Sequence, residues 1–145
     1  MMFNHDRIAL RKMYFDSWAK YMNKQPLSEL EIQIARVIEH HPEYHHYLSN
    51  LANLDKDFLP ETGDTNPFLH MGLHLALIEQ IATNRPYGIT VIYQKLCQRN
   101  DEHDVQHKMI DCLAESIWLT QKNNTAPDES EYLKQLKMLL QEQQN

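Results

Sequence analysis

Long segments with apolar residues three and four apart, start and stop signals between them, and only three glycines in 145 residues predict an all-α protein. The expected architecture is a compact helical bundle of about four main helices plus short helices, forming one helical domain over 1–145. No stretch alternates apolar and polar residues as a half-buried strand would, and no repeat or low-complexity block interrupts the pattern.

The first helix is expected from about Asn4 to Asn23. Its apolar stripe is Ile8, Phe15, Trp18 and Met22, widened by Leu10, Tyr14 and Tyr21. Gln25-Pro26-Leu27 ends it. Ser28, with Glu31 three residues on, is a capping box that opens a second helix, whose core stripe is Leu30, Ile34, Val37 and Ile38 beside Ala35. Pro42 disfavours helical backbone at His41 but suits a first helical position, so a short third helix is expected over 42–50. A long connection follows over 51–65. Its Asp55, Asp57, Glu61 and Asp64 lack the spacing of an EF-hand loop and read as solvated carboxylates. Asn66-Pro67 then caps and starts a helix reaching about Asn84, and Arg85-Pro86-Tyr87-Gly88 stops it. A short helix over 89–98, a long one over 101–122 and a last one over 129–141 complete the chain. The Gln-rich end, 141–145, is expected to fray.

Charge and motifs exclude several classes. The net charge of −6 and the spread of Arg7, Arg11, Lys12, Lys20 and Lys24 along one helix argue for a solvated face and against nucleic-acid binding. Cys97 and Cys112 form no CxxC and fit reduced thiols. No signal-peptide core is present, and no apolar run approaches the ~18 residues of a membrane span, so no membrane association and a cytoplasmic location are expected. The chain has no HExxH, glycine-rich phosphate loop or GxSxG, so no nucleotide or organic cofactor is expected. Cys112 points roughly 140° away from His107 on one helix, which argues against a Cys–His nucleophile.

The histidines carry the functional signal. Nine are present, and three pairs fall at i, i+4: His41/His45, His70/His74 and His103/His107. Random placement gives roughly 0.5 such pairs, and this spacing puts two side chains on one helix face. At ~100° per residue, His70 and His74 share the sector of Leu73, Leu77, Ile78 and Ile81, whereas Glu79 lies nearly opposite His70. His103 and His107 share a sector with Ile110, Ala114, Ile117 and Trp118, flanked by Asp111 and with Glu115 at its edge. Each buried neutral imidazole has one donor and one acceptor to satisfy. An unsatisfied buried polar group costs roughly 1–3 kcal/mol. A cation satisfies several rings at once, and helical bundles hold metals through ligands projecting inward.

Two readings follow. In the first, the protein is a histidine-rich metal-binding bundle. His70, His74, His103 and His107 are the main ligands, supplemented by His41, His45, Asp111 or Glu115. Zinc or iron suits imidazole best, and an open coordination position would admit metal-assisted hydrolysis or oxygen chemistry. His41/His45 is the weaker pair because Pro42 interrupts the helix between its members. His5, His40 and His46 are expected at the surface, and no catalytic residue is assigned. In the second reading, the protein is a non-catalytic interaction or structural module with a hydrogen-bonded histidine core, and its C-terminal helix or a Met-rich face docks a partner or a second copy in a homodimer. Ring nitrogens within about 4–5 Å of one another favour the first reading, because ligand bonds near 2 Å demand it. Rings bonded separately to backbone or carboxylates favour the second.

Five segments carry a family resemblance: HPEYH (41–45), NPFLHMGLHLALIEQ (66–80), HDVQHKMIDCLAESIW (103–118), RKMYFDSW (11–18) and RPYGI (85–89). They resemble the bacterial family called domain of unknown function 1841. The likeness covers nearly the whole chain except the Gln-rich tail. It implies a small stand-alone bacterial cytoplasmic protein and names no activity. Helix-borne HxxxH pairs also look, in pattern alone, like hemerythrin-type di-iron bundles and metal-dependent four-helix enzymes. The HxxxE arrangement of a carboxylate-bridged di-iron centre is missing.

Overall fold

A computed structural model describes residues 2–58 and 66–144. Residues 59–65 of the connection expected over 51–65, with Glu61 and Asp64, and the side chain of His5 fall outside the described residues. Among the described residues the chain forms seven α-helices and no strand: α1 (Met2–Met22), α2 (Glu29–Glu39), α3 (His45–Leu48), α4 (Pro67–Thr83), α5 (Ile89–Cys97), α6 (Glu102–Asn123) and α7 (Glu129–Gln144). Single 3-10 turns at Pro42–Tyr44 and Leu51–Asn53 flank α3. The all-α expectation holds. The chain divides into two compact units, Met1–Leu75 and Ala76–Asn145, with the boundary inside α4.

In the first unit, α1 packs against α2 and α3. The capping box forms as read: Ser28 Oγ accepts from the Glu31 amide, and Glu31 accepts from the Ser28 amide at 2.9 Å. Ile34, Ala35, Val37 and Ile38 are buried against Tyr14, Phe15 and Trp18. Phe15, Tyr47, Phe58 and Phe68 add a ring cluster with centroids 5.7–6.3 Å apart. The apolar stripes are narrower than expected. Leu10, Tyr21, Met22 and Leu30 are exposed; Tyr21 and Met22 stand at the C-terminal end of α1 and Leu30 in the first turn of α2. The α4 start is confirmed, with Asn66 Oδ1 accepting from the Phe68 and Leu69 amides.

Arg11 departs from the expectation of a solvated basic face. It is 4 % exposed. Its Nη1 donates to the carbonyls of Leu54 (3.3 Å) and Lys56 (2.6 Å), and its guanidinium lies 4.8 Å from the Phe68 ring centroid. Burial lowers its pKa from the ordinary arginine value. The planar, weakly hydrated guanidinium tolerates this burial because carbonyls and a ring face replace its water.

In the second unit, α5, α6 and α7 pack on one another around Ile89, Ile92, Leu96, Met109, Leu113 and Leu136. Buried Tyr132 donates to Gln80 Oε1 at 2.7 Å, and Thr90 Oγ1 donates to the Ile81 carbonyl at 2.6 Å. Two expectations change here. The buried face of α6 is formed by Val105, Met109, Ile110 and Leu113, centred about 100° round the helix from the expected sector, of which it keeps Ile110. Ile117 and Trp118 are therefore exposed, and the Trp118 ring instead carries the Lys122 ammonium at 4.7 Å. The Gln-rich end also continues α7 to Gln144, since Gln and Glu are good helix formers.

Candidate metal centre

The centre begins with the way α2 ends. Pro42 keeps His41 out of helical backbone (φ −126°, ψ 71°), so the chain turns and the His41 ring folds back along the last turn of α2. There it meets a carbonyl that the ending helix leaves without its usual i+4 amide. The His41 Nδ1–H donates to Val37 O at 2.7 Å, and the His45 Nε2–H donates to Ile38 O at 2.8 Å. Both histidines thus cap the helix C-terminus, as basic side chains commonly do. The Val37 bond also selects a tautomer. A carbonyl only accepts, so in the neutral ring Nδ1 holds the hydrogen and Nε2 presents its lone pair.

That Nε2 faces the i, i+4 pair of α4. The His70 and His41 Nε2 atoms are 3.1 Å apart, and the His74 and His70 Nε2 atoms are also 3.1 Å apart. One ligand nitrogen from each of the three rings lies within 4.8 Å of the others. His41 and His74 are 2 % exposed, and His70 is half-buried. The Tyr44 ring stacks parallel to His41, with centroids 5.4 Å apart, and burial raises the pKa of its phenol.

Hydrogen bonding alone satisfies this arrangement poorly. A ring nitrogen carries one hydrogen or one in-plane lone pair, never both. His70 Nε2 contacts two other Nε2 atoms, so it cannot donate to one while accepting from the other. A cation accepts lone pairs from several neutral imidazole nitrogens held this close together. Ligand bonds of 2.0–2.1 Å put imidazole nitrogens about 3.3–3.4 Å apart in a tetrahedron and about 2.9 Å apart at cis octahedral positions. The observed 3.1 Å falls between the two.

The sequence-predicted residues divide as follows. His41, His70 and His74 come together in the first unit. His45 is turned away, bonded to Ile38 O with its ring 4.5 Å from that of Trp18. His40 and His46 are exposed, as expected. His103 and His107 stand together on α6 in the second unit, ring centroids 4.2 Å apart and both half-buried. Asp111 and Glu115, also on α6, are exposed. His41 lies outside any helix, so helix faces give it no place beside His70 and His74. The signal that could have found it is Pro42, which forces the backbone to turn at His41.

These features define an all-α protein with a largely buried cluster of histidines, one at the turn that ends α2 and two in the first half of α4. A family model described as Domain of unknown function (DUF1841) matches residues 6–138, and the chain belongs to that family. No curated protein and no solved structure matches it. Among the described residues, no helix is long and apolar enough to cross a membrane.

Proposed function

We propose that this is a metal-binding protein whose first unit holds a divalent transition metal through the Nε2 atoms of His41, His70 and His74. The single observation that carries the reading is the convergence of three ring nitrogens, one of them 3.1 Å from both others, where that nitrogen cannot donate to one neighbour while accepting from the other. All-imidazole donation suits zinc or ferrous iron. Three rings leave at least one coordination position to a further donor. Outside the first unit, the sequence nominates His103, His107, Asp111 and Glu115, and replacing each in turn reads out which of them contributes. The same reading takes the setting as bacterial and cytoplasmic with no nucleic-acid or membrane partner, and the net charge of −6 accords with the lack of a nucleic-acid partner.

The test is metal analysis by mass spectrometry on tag-free protein, before and after reconstitution with zinc or iron. Near-stoichiometric metal that is lost in His70→Gln and His74→Gln is expected. Less than about a tenth of an equivalent, with no thermal shift on adding either ion, overturns the reading.

One observation favours the second reading, a structural module with a hydrogen-bonded histidine core that docks a partner or a second copy. His45 is already such a histidine, bonded to backbone and packed on Trp18. Under that reading His70→Ala destabilises the fold and metal content is nil in both proteins.

A further inference from the structure

We infer that the second unit carries a ligand site of its own, a cleft that takes a small organic cation: an ammonium group on an apolar body. This goes beyond the metal reading and does not rest on it, since every residue lining the cleft belongs to the second unit. The cleft is bounded by the end of α4, by α6 and by the start of α7, and its volume is about 760 Å³. Binding sites for small molecules measure roughly 300–1,000 Å³ and combine apolar surface with a few polar groups. Pro86, Leu113 and Tyr132 are buried residues of the lining, and exposed Ile117 adds to its apolar surface. The hydrogen bond from Tyr132 to Gln80 joins α7 to α4, and both residues line the cleft, so two of its sides are fixed to each other before any ligand arrives.

Two features select the charge of the occupant. The first is hydrogen-bond polarity. Tyr132 donates its hydroxyl hydrogen to Gln80 Oε1 at 2.7 Å, Thr83 to the Glu79 carbonyl at 2.8 Å and Thr120 to the Ser116 carbonyl at 2.9 Å. All three residues line the cleft. Their hydroxyl hydrogens are spent within the protein, while their oxygens still accept. Burial pushes the Tyr132 phenol up, so it stays protonated and uncharged. The second feature is charge. Glu79, Asp128 and Glu129 line the cleft against one guanidinium, that of Arg85. Asp128 accepts from the Glu131 amide where α7 begins, and the positive end of that helix offsets roughly half a charge. The balance stays negative. An ammonium group brings three N–H donors and one positive charge, which answers both features. A carboxylate of the same shape meets acceptors and like charge.

The experiment uses the isotopically labelled full chain and three probes built on one body: phenylbutylammonium, phenylbutanol and phenylbutyrate. Backbone amide resonances are followed by NMR as each probe is titrated. Saturable shifts are expected in the segments that line the cleft, 79–86, 113–121 and 127–132. The ammonium is expected to bind about fivefold tighter than the alcohol, the upper range for an exposed ion pair, with the carboxylate weakest. That preference is expected to shrink as sodium chloride is raised. Glu79 and Glu129 are exposed, so Glu79→Gln and Glu129→Gln leave the fold intact. Each is expected to weaken the ammonium about two- to threefold and to leave the alcohol unchanged. Ile117→Ser is expected to weaken all three probes. The alcohol or the carboxylate bound as tightly as the ammonium overturns the inference, and so do shifts confined to residues outside these segments or no saturable shift with any probe. Each of those outcomes leaves the metal reading untouched.

Discussion

Two residues show how a local physical rule assigns a role. His41 serves two partners at once: Nδ1 completes the end of α2, and Nε2 faces His70. An asparagine can keep the first bond and cannot supply the second. His41→Asn is therefore expected to retain unfolding stability within about 1 kcal/mol while losing at least tenfold in metal affinity, read by urea unfolding and by competitive zinc titration. Arg11 is the opposite case, a charged group with a structural role. Truncation to alanine strands the Leu54 and Lys56 carbonyls and opens space beneath Phe68. Arg11→Ala is expected to cost about 1.5–3 kcal/mol in urea unfolding, the range for hydrogen bonds to charged groups. Arg11→Lys is expected to recover less than half, because an ammonium is more strongly hydrated than a guanidinium and cannot lie flat on the Phe68 ring.

At the scale of elements, the starts of α2 and α4 follow their signals closely. Ser28 and Glu31 bond reciprocally, so Ser28→Ala is expected to lower stability by about 1 kcal/mol in thermal unfolding. Glu31 also accepts from Lys20 Nζ at 2.7 Å. That ion pair, with the Ser28 amide, holds its carboxyl down from 4.5 to about 2. The folded-state value is depressed, so its stabilisation is fully present above about 4.5 and is lost as pH falls towards about 2. Glu31→Gln is therefore expected to be less stable than wild type at neutral pH and to converge with it near pH 2, in a pH series of thermal melts. The i, i+4 placement of His70 and His74 was legible in the same way, because one intact helix sets it. The inward face of α6 was not. Its apolar residues occupy much of the circumference, and packing selected Val105, Met109 and Leu113 over Ile117 and Trp118.

For the whole molecule, binding and folding are linked. A metal that binds only the folded state at a hundred times its dissociation constant adds about 2.7 kcal/mol, which for a chain of this size raises Tm by roughly 5–10 °C. That rise is expected with zinc in differential scanning calorimetry, reversed by a chelator and absent in His74→Gln. It is also expected to shrink as pH falls, since protons compete for the imidazole lone pairs.

The sequence by itself determined the helical class, most helix boundaries, the capping box and the pairing of His70 with His74. All of these depend on neighbours within about four residues, the reach of one helical turn. The tertiary structure decided which histidines meet. It brought His41 to the α4 pair and turned His45 towards Trp18, and it drew Arg11 out of water onto two carbonyls and an aromatic ring. Those outcomes depend on contacts across tens of residues, whose geometry is set by how the cores pack and which no local periodicity encodes.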